Sequence, residues 1–194
     1  MANVDAPFGF RPVGELGSNI QNGGTSKYLI TSGDGQAIFK GDLVKLETTG
    51  YITKSDDGDA VVAIGVFNGC FYVAPTTKKP TWSNYYPGSI TPASGEIEAF
   101  VYDDPNKLYE IQTDGTIAQS SVGRNADIVY AAGSTVNGQS KTELDATTAS
   151  AGATAQCRII RICEDPSNSD KSADNSNWIV RLNEHQYYAD VIGV

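Results

Sequence analysis

Apolar residues come in short runs along this chain, each closed by glycine, proline or acidic turn residues. None keeps the three-to-four spacing of a long amphipathic helix. The pattern predicts strands at residues 26–31, 36–39, 42–46, 51–53 and 60–66, the last being the most apolar. Phe67-Asn68-Gly69-Cys70 reads as a bend into a strand at 71–73. Residues 96–103 alternate acidic and apolar side chains, as a half-buried strand should. Further strands are expected at 107–112, 126–132, 156–163, 178–183 and 186–191, with 156–163 apolar on both faces and therefore central. The expected class is mainly β, a small β-barrel or sandwich of about ten strands with no long helix.

The segments between the strands set the organisation. Residues 1–24 are rich in glycine, proline and asparagine and show no period, so they read as an extended N-terminal arm. Phe8 and Phe10 in that arm call for a pocket that orders it. Residues 25–194 read as a single β-domain with long loops at 74–95, 133–155 and 164–177. Pro75, Pro80, Pro87 and Pro92 deny the first loop a core strand, while Trp82, Tyr85 and Tyr86 argue that it is ordered. The second is small, polar and read as an exposed ordered loop. Ser140-Lys141-Thr142-Glu143 there has capping-box spacing and permits a helical turn through Leu144.

Charge narrows the partners. Fourteen Lys and Arg against 23 Asp and Glu leave a net charge of −9. No basic run exceeds Lys78-Lys79, so nucleic acid and anionic membrane surfaces are not expected partners. No run approaches the ~20 apolar residues of a membrane span. Met1-Ala2-Asn3-Val4-Asp5 has no basic or apolar leader pattern, so synthesis in a cytoplasm is expected.

Candidate chemistry is sparse. Cys157 and Cys163 fall in one predicted strand, ~20 Å apart, too far for a disulfide. With Cys70 they read as small buried hydrophobes rather than zinc ligands. His185 is the only histidine, and no Gly-x-Ser-x-Gly elbow supplies it with a serine. Asp103-Asp104 and Asp56-Asp57-Gly58-Asp59 read as solvated turn acids, with calcium binding the alternative. Gly14, Gly17, Gly23 and Gly24 do not make a phosphate loop. No catalytic, cofactor or metal site is therefore assigned, and an enzyme is not expected. The costly residues to expose are aromatic. Phe8 and Phe10 with Arg11 in the arm, and Trp82, Tyr85 and Tyr86 in the loop, are candidate interface anchors. The loop aromatics could equally pack on their own domain.

Ala6-Pro7-Phe8-Gly9-Phe10-Arg11-Pro12-Val13, Lys40-Gly41-Asp42-Leu43-Val44-Lys45-Leu46, Ile64-Gly65-Val66-Phe67-Asn68-Gly69 and Ala99-Phe100-Val101-Tyr102-Asp103-Asp104-Pro105 together resemble a known family. They are similar to the head decoration, or cement, proteins of tailed phages, in particular those of aquatic bacteria. The resemblance covers about half the chain, chiefly residues 6–13, 38–73 and 95–112. It implies a virion protein, often a homotrimer, that binds the outside of an icosahedral head and clamps neighbouring major capsid protein subunits after expansion. The alternatives are a tail or head-fibre structural protein and a carbohydrate-active β-protein.

Overall fold

A computed structural model describes residues 3–17, 24–55, 62–150 and 155–188. They form strands β1 (Arg11–Glu15), β2 (Ser26–Ile30), β3 (Leu43–Leu46), β4 (Ile52–Lys54), β5 (Gly65–Val73), β6 (Pro80–Ser83) and β7 (Ile97–Tyr102). Then come β8 (Lys107–Gln112), β9 (Asn125–Ala126), β10 (Ile128–Val129), β11 (Glu143–Leu144), β12 (Cys157–Ile162) and β13 (Asn177–Leu182). Two 3-10 turns, Gln119–Ser121 and Ala146–Thr148, are the only helical elements among the described residues. One antiparallel sheet runs β1-β8-β13-β12-β9, and a second runs β2-β7-β5-β3-β4 with β6 added to β5. The protein is mainly β, as expected, and sandwich-like; its sheets do not close into a barrel.

Strand alternation decides which core each residue enters. Leu43 and Val66 join a core with Tyr109, Ile111, Trp178, Val180 and Leu182 of the first sheet. Their chain neighbours Val44 and Phe67 point the other way, into a second core with Ile97, Ala99 and Val101 of β7. The second sheet therefore buries residues on both faces. Each fully buried Ile, Val or Phe contributes roughly 1.5–3 kcal/mol. The polar face of β7 is used too: Glu98 pairs with Lys27 of β2 at 3.0 Å.

Several expected elements form differently. Phe67-Asn68-Gly69-Cys70 is not a bend. A bulge between Phe67 and Gly69, in register with β7, absorbs the irregularity and β5 runs unbroken from Gly65 to Val73. Residues 36–39 make only an isolated bridge, Ile38 to Tyr86, because the chain turns immediately afterwards. Residues 126–132 divide into β9 and β10, which pair with different strands, β12 and β11. Residues 80–83 of the proline-rich segment form β6, an edge strand on which proline takes the first position. Residues 186–188 form a turn, and the rest of the expected last strand lies outside the described residues. In that turn the Gln186 carboxamide imitates a strand, accepting from Leu46 N at 2.8 Å and donating to Leu46 O at 3.0 Å.

The segment around Ser140 is the largest departure. Ser140, Thr142 and Leu144 are fully buried, and Glu143–Leu144 pair as a strand instead of capping a helix. The Ser140 hydroxyl donates to the Asp42 carboxylate rather than to a helix amide.

The N-terminal residues are tied to their own chain. Asn3 Nδ2 donates to the carbonyls of Asp170 and Asp174 at 2.9 and 2.8 Å. Ala6 N donates to Gln112 Oε1 at 2.9 Å, and Gln112 Nε2 donates to Val4 O at 3.0 Å. Arg11–Glu15 then pair along β8 as an edge strand, where Pro12 can sit without an N–H.

One four-residue turn joins these parts. Asp42 N donates to Phe39 O at 2.9 Å, and Phe39 N donates to Asp42 Oδ2 at 2.8 Å. Gly41, with φ of +96°, takes the left-handed position such a turn needs, and a Cβ there would lie 3.0 Å from Phe8 O. Phe10 N donates to Gly41 O, and Gly41 N donates to Phe67 O. Lys40 N and Lys40 O bond Gly138 O and Ser140 N, each at 2.9 Å.

Burial pushes the Asp42 carboxyl up to about 6 from 3.8, against the opposing pull of the Ser140 hydroxyl, the Phe39 amide and the Lys54 charge. The native state therefore holds this proton more tightly than the unfolded chain does. Its contribution to stability is full below pH 3.8 and is lost as pH rises through about 6. Asp42→Asn removes that part of the slope in urea unfolding measured from pH 4 to 7. Asp42→Ala leaves the Phe39 amide without its acceptor and the Ser140 hydroxyl with Thr142 alone, and costs roughly 1–3 kcal/mol at pH 7.

Candidate functional site

The six candidate anchors separate into two groups. Phe10 is 3% exposed, meets Tyr109 edge-on at 5.8 Å between ring centroids and belongs to the first core. Phe8 is 9% exposed and is covered by the Arg11 guanidinium, 4.0 Å above its ring. Tyr86 is fully buried; its hydroxyl donates to Asp34 O at 2.8 Å and accepts from Ile90 N at 3.2 Å. Tyr86 thus staples the proline-rich segment to residues 34–38. These three rings are engaged inside their own chain.

Arg11, Trp82 and Tyr85 reach the surface. The Arg11 side chain is half exposed and pairs with the buried Glu110 at 3.3 Å. Trp82 is 50% exposed and rests on Phe100, with ring centroids 5.1 Å apart. It also lies over Gly69 of β5, where a Cβ would stand 2.7 Å from the indole Cζ2. Gly69 is the position that lets this ring lie flat on the sheet. Tyr85 stacks on Phe39 at 5.3 Å with ring planes 3° apart, which ties it to the Phe39–Asp42 turn.

A residue that sequence reasoning passed over completes the surface. Val136 is 96% exposed at the tip of the 134–139 loop. That loop is closed by Gly138 N to Ser134 O and Ser134 N to Gln139 O, both 2.8 Å, and anchored by Lys40. Trp82, Tyr85 and Val136 line one depression of about 300 Å³. The signal was present: a lone aliphatic in Ser134-Thr135-Val136-Asn137-Gly138 has no strand in which to bury.

The groups weighed for chemistry are placed as follows. His185 is fully buried, with Nδ1 accepting from Tyr187 N at 3.1 Å. Its Nε2 therefore carries the proton, and burial pushes the ring down to about 4. Cys70 is buried and donates to Tyr85 O at 3.6 Å; burial pushes its thiol up to about 12. Cys157 is buried as well and Cys163 half-buried, and burial raises both thiols. Asp103 accepts from Tyr28 OH at 2.8 Å, and Asp104 from Asn106 N at 2.8 Å in the turn between β7 and β8. Asp56-Asp57-Gly58-Asp59 lies outside the described residues.

Two outcomes follow. Gly69→Ala pushes Trp82 off the sheet, red-shifts the tryptophan emission and costs roughly 1–3 kcal/mol in urea unfolding. The depressed His185 contributes stability that is present above pH 6.5 and is lost as pH falls through about 4, opposite in sign to Asp42. His185→Gln removes this acid-side loss in the same pH series.

Comparison of the chain with protein-family models, with curated proteins and with solved structures returns no match.

Proposed function

We propose that this protein is a structural component of a tailed-phage particle, seated on the outer face of the icosahedral head. In this reading it clamps neighbouring major capsid subunits after expansion, as a homo-oligomer with the trimer favoured. The observation that carries it is the Trp82–Tyr85–Val136 surface. Large apolar groups are held there on a hydrogen-bonded base, with the Ser83 hydroxyl turned back to the Tyr85 carbonyl. Aromatic anchors fixed before contact lose little conformational entropy on docking, which suits a protein whose product is a contact. The decoration-protein resemblance of residues 6–13, 38–73 and 95–112 supports the same reading. A ligand that prefers the expanded lattice stabilises it by mass action, and several weak contacts in one oligomer add through avidity. Of the six residues first singled out, Trp82, Tyr85 and Arg11 are the contact candidates; Phe8, Phe10 and Tyr86 support them from within.

Co-sedimentation with expanded, decoration-free heads of its phage, with unexpanded heads as control, tests the proposal. Saturable binding to expanded heads alone is expected. Replacing Trp82 and Val136 together by Ser, with the β circular dichroism retained, lowers occupancy at sub-saturating protein by roughly tenfold or more. Absence of binding to either head form overturns the reading and brings the tail or head-fibre alternative forward.

A further inference from the structure

Cationic side chains are outnumbered on this chain, yet three of them converge on one groove. Arg11 and Lys40 line a cavity of about 440 Å³, and Arg11 and Lys141 line an adjoining one of about 620 Å³. Phe8, Arg11, Asn137 and Gln139 belong to both, so the two are continuous. Arg11 pairs with the buried Glu110 at 3.3 Å, as Lys27 pairs with Glu98 and Lys107 with Glu15. Lys40 and Lys141 are exposed and make no ion pair among the described residues. The nearby acids offset this charge only in part. Asp5 belongs to the second lining, Glu110 already pairs with Arg11, and burial pushes the Glu143 carboxyl up to about 7, which leaves Lys40 and Lys141 as the groove cations to be matched.

The rest of the groove is chosen for a chain rather than for an ion. Pro12 gives an apolar element beside Arg11, which covers Phe8, and the residues Asn84, Asn137 and Gln139 add carboxamide donors and acceptors to the lining. Asn84 and Asn137 also line the Trp82–Val136 depression, so the cationic end runs directly into the apolar one. All of this surface is fixed by the Phe39–Asp42 turn and the 134–139 loop. Three cations are too few for firm binding along a phosphate backbone, and the surrounding charge of −9 opposes it.

We propose that the groove between residues 5–12 and the 134–141 loop is a docking site for an extended, acidic segment of a partner protein. The partner's carboxylates lie over Arg11, Lys40 and Lys141, and an adjoining apolar side chain lies against Trp82 and Val136. Charge complementarity selects the occupant: a carboxylate-rich chain is attracted here and repelled by most of the remaining surface. The site shares Arg11, Trp82 and Val136 with the proposed head-contact surface, and its acidic-chain chemistry is tested without heads.

The test is titration of the isotopically labelled full chain, followed by amide chemical shifts, with three probes. These are a synthetic peptide of aspartates with one leucine, the same peptide with lysine for aspartate, and a short single strand of DNA. Saturable shifts at Lys40, Asn137, Gln139 and Lys141 with the acidic peptide alone, weakened by salt, are expected. The double variant Lys40→Glu with Lys141→Glu loses roughly tenfold in affinity for that peptide. Both residues are exposed, and an unchanged melting temperature separates lost binding from lost folding. Equal response to the lysine peptide, tighter binding of DNA at these amides, or no saturable response to the acidic peptide overturns the proposal. Peptide binding without head binding leaves the groove in place and removes only the head reading.

Discussion

A buried carboxylate that must be satisfied holds this structure together. Removing Asp42 from water is costly unless its oxygens find donors. The Phe39 amide and the Ser140 hydroxyl supply them, one from three residues away and one from 98 residues away. Meeting that demand brings the 134–142 segment against the start of β3. The same turn takes the N-terminal segment through Phe10 N and β5 through Gly41 N. Three stretches distant in sequence thus meet at one Phe-Lys-Gly-Asp tetrapeptide. Loss of the carboxylate would loosen all of them at once, which is why the surface carried by the 134–139 loop depends on a residue it does not expose.

The second sheet gives that surface its rigidity. It is packed on both sides, with Leu43 and Val66 in one core and Val44 and Phe67 in the other. A sheet filled on both faces resists bending, so the aromatic residues along its β6 edge are held in one arrangement. Trp82 is pressed onto Phe100 and over Gly69, and Tyr85 onto Phe39. Half-exposed rings held so firmly form a contact surface before any partner arrives.

Local pattern was enough for much of the fold. Alternation placed β7, and short runs between turn residues placed β3, β8, β12 and β13 to within a residue or two. What escaped depends on distance along the chain. Ser140 and Thr142 look like a helix start because nothing nearby shows that Asp42 is their partner. Phe67 to Cys70 looks like a bend because a bulge and a turn share the same asparagine and glycine. The candidate surface divides similarly. Trp82 and Tyr85 were legible as aromatics in a proline-rich loop, whereas Tyr86, beside them in sequence, is the staple that buries itself. Lys40 and Lys141 carry no mark of one another, and only the Lys40 pairing with Gly138 and Ser140 makes them neighbours.

The attachment of Asn3, Val4 and Ala6 to residues 112 and 168–174 has a consequence for synthesis. During translation at about 5–20 residues per second, the first residues wait many seconds for the partners that hold them. β8 likewise waits for β13 before its far edge is covered. A ribosome-bound intermediate therefore carries open strand edges until residues 168–182 have emerged, the condition under which β chains pair wrongly with their neighbours. Edges left open over so long a stretch of chain favour pairing between neighbouring nascent copies over pairing within one.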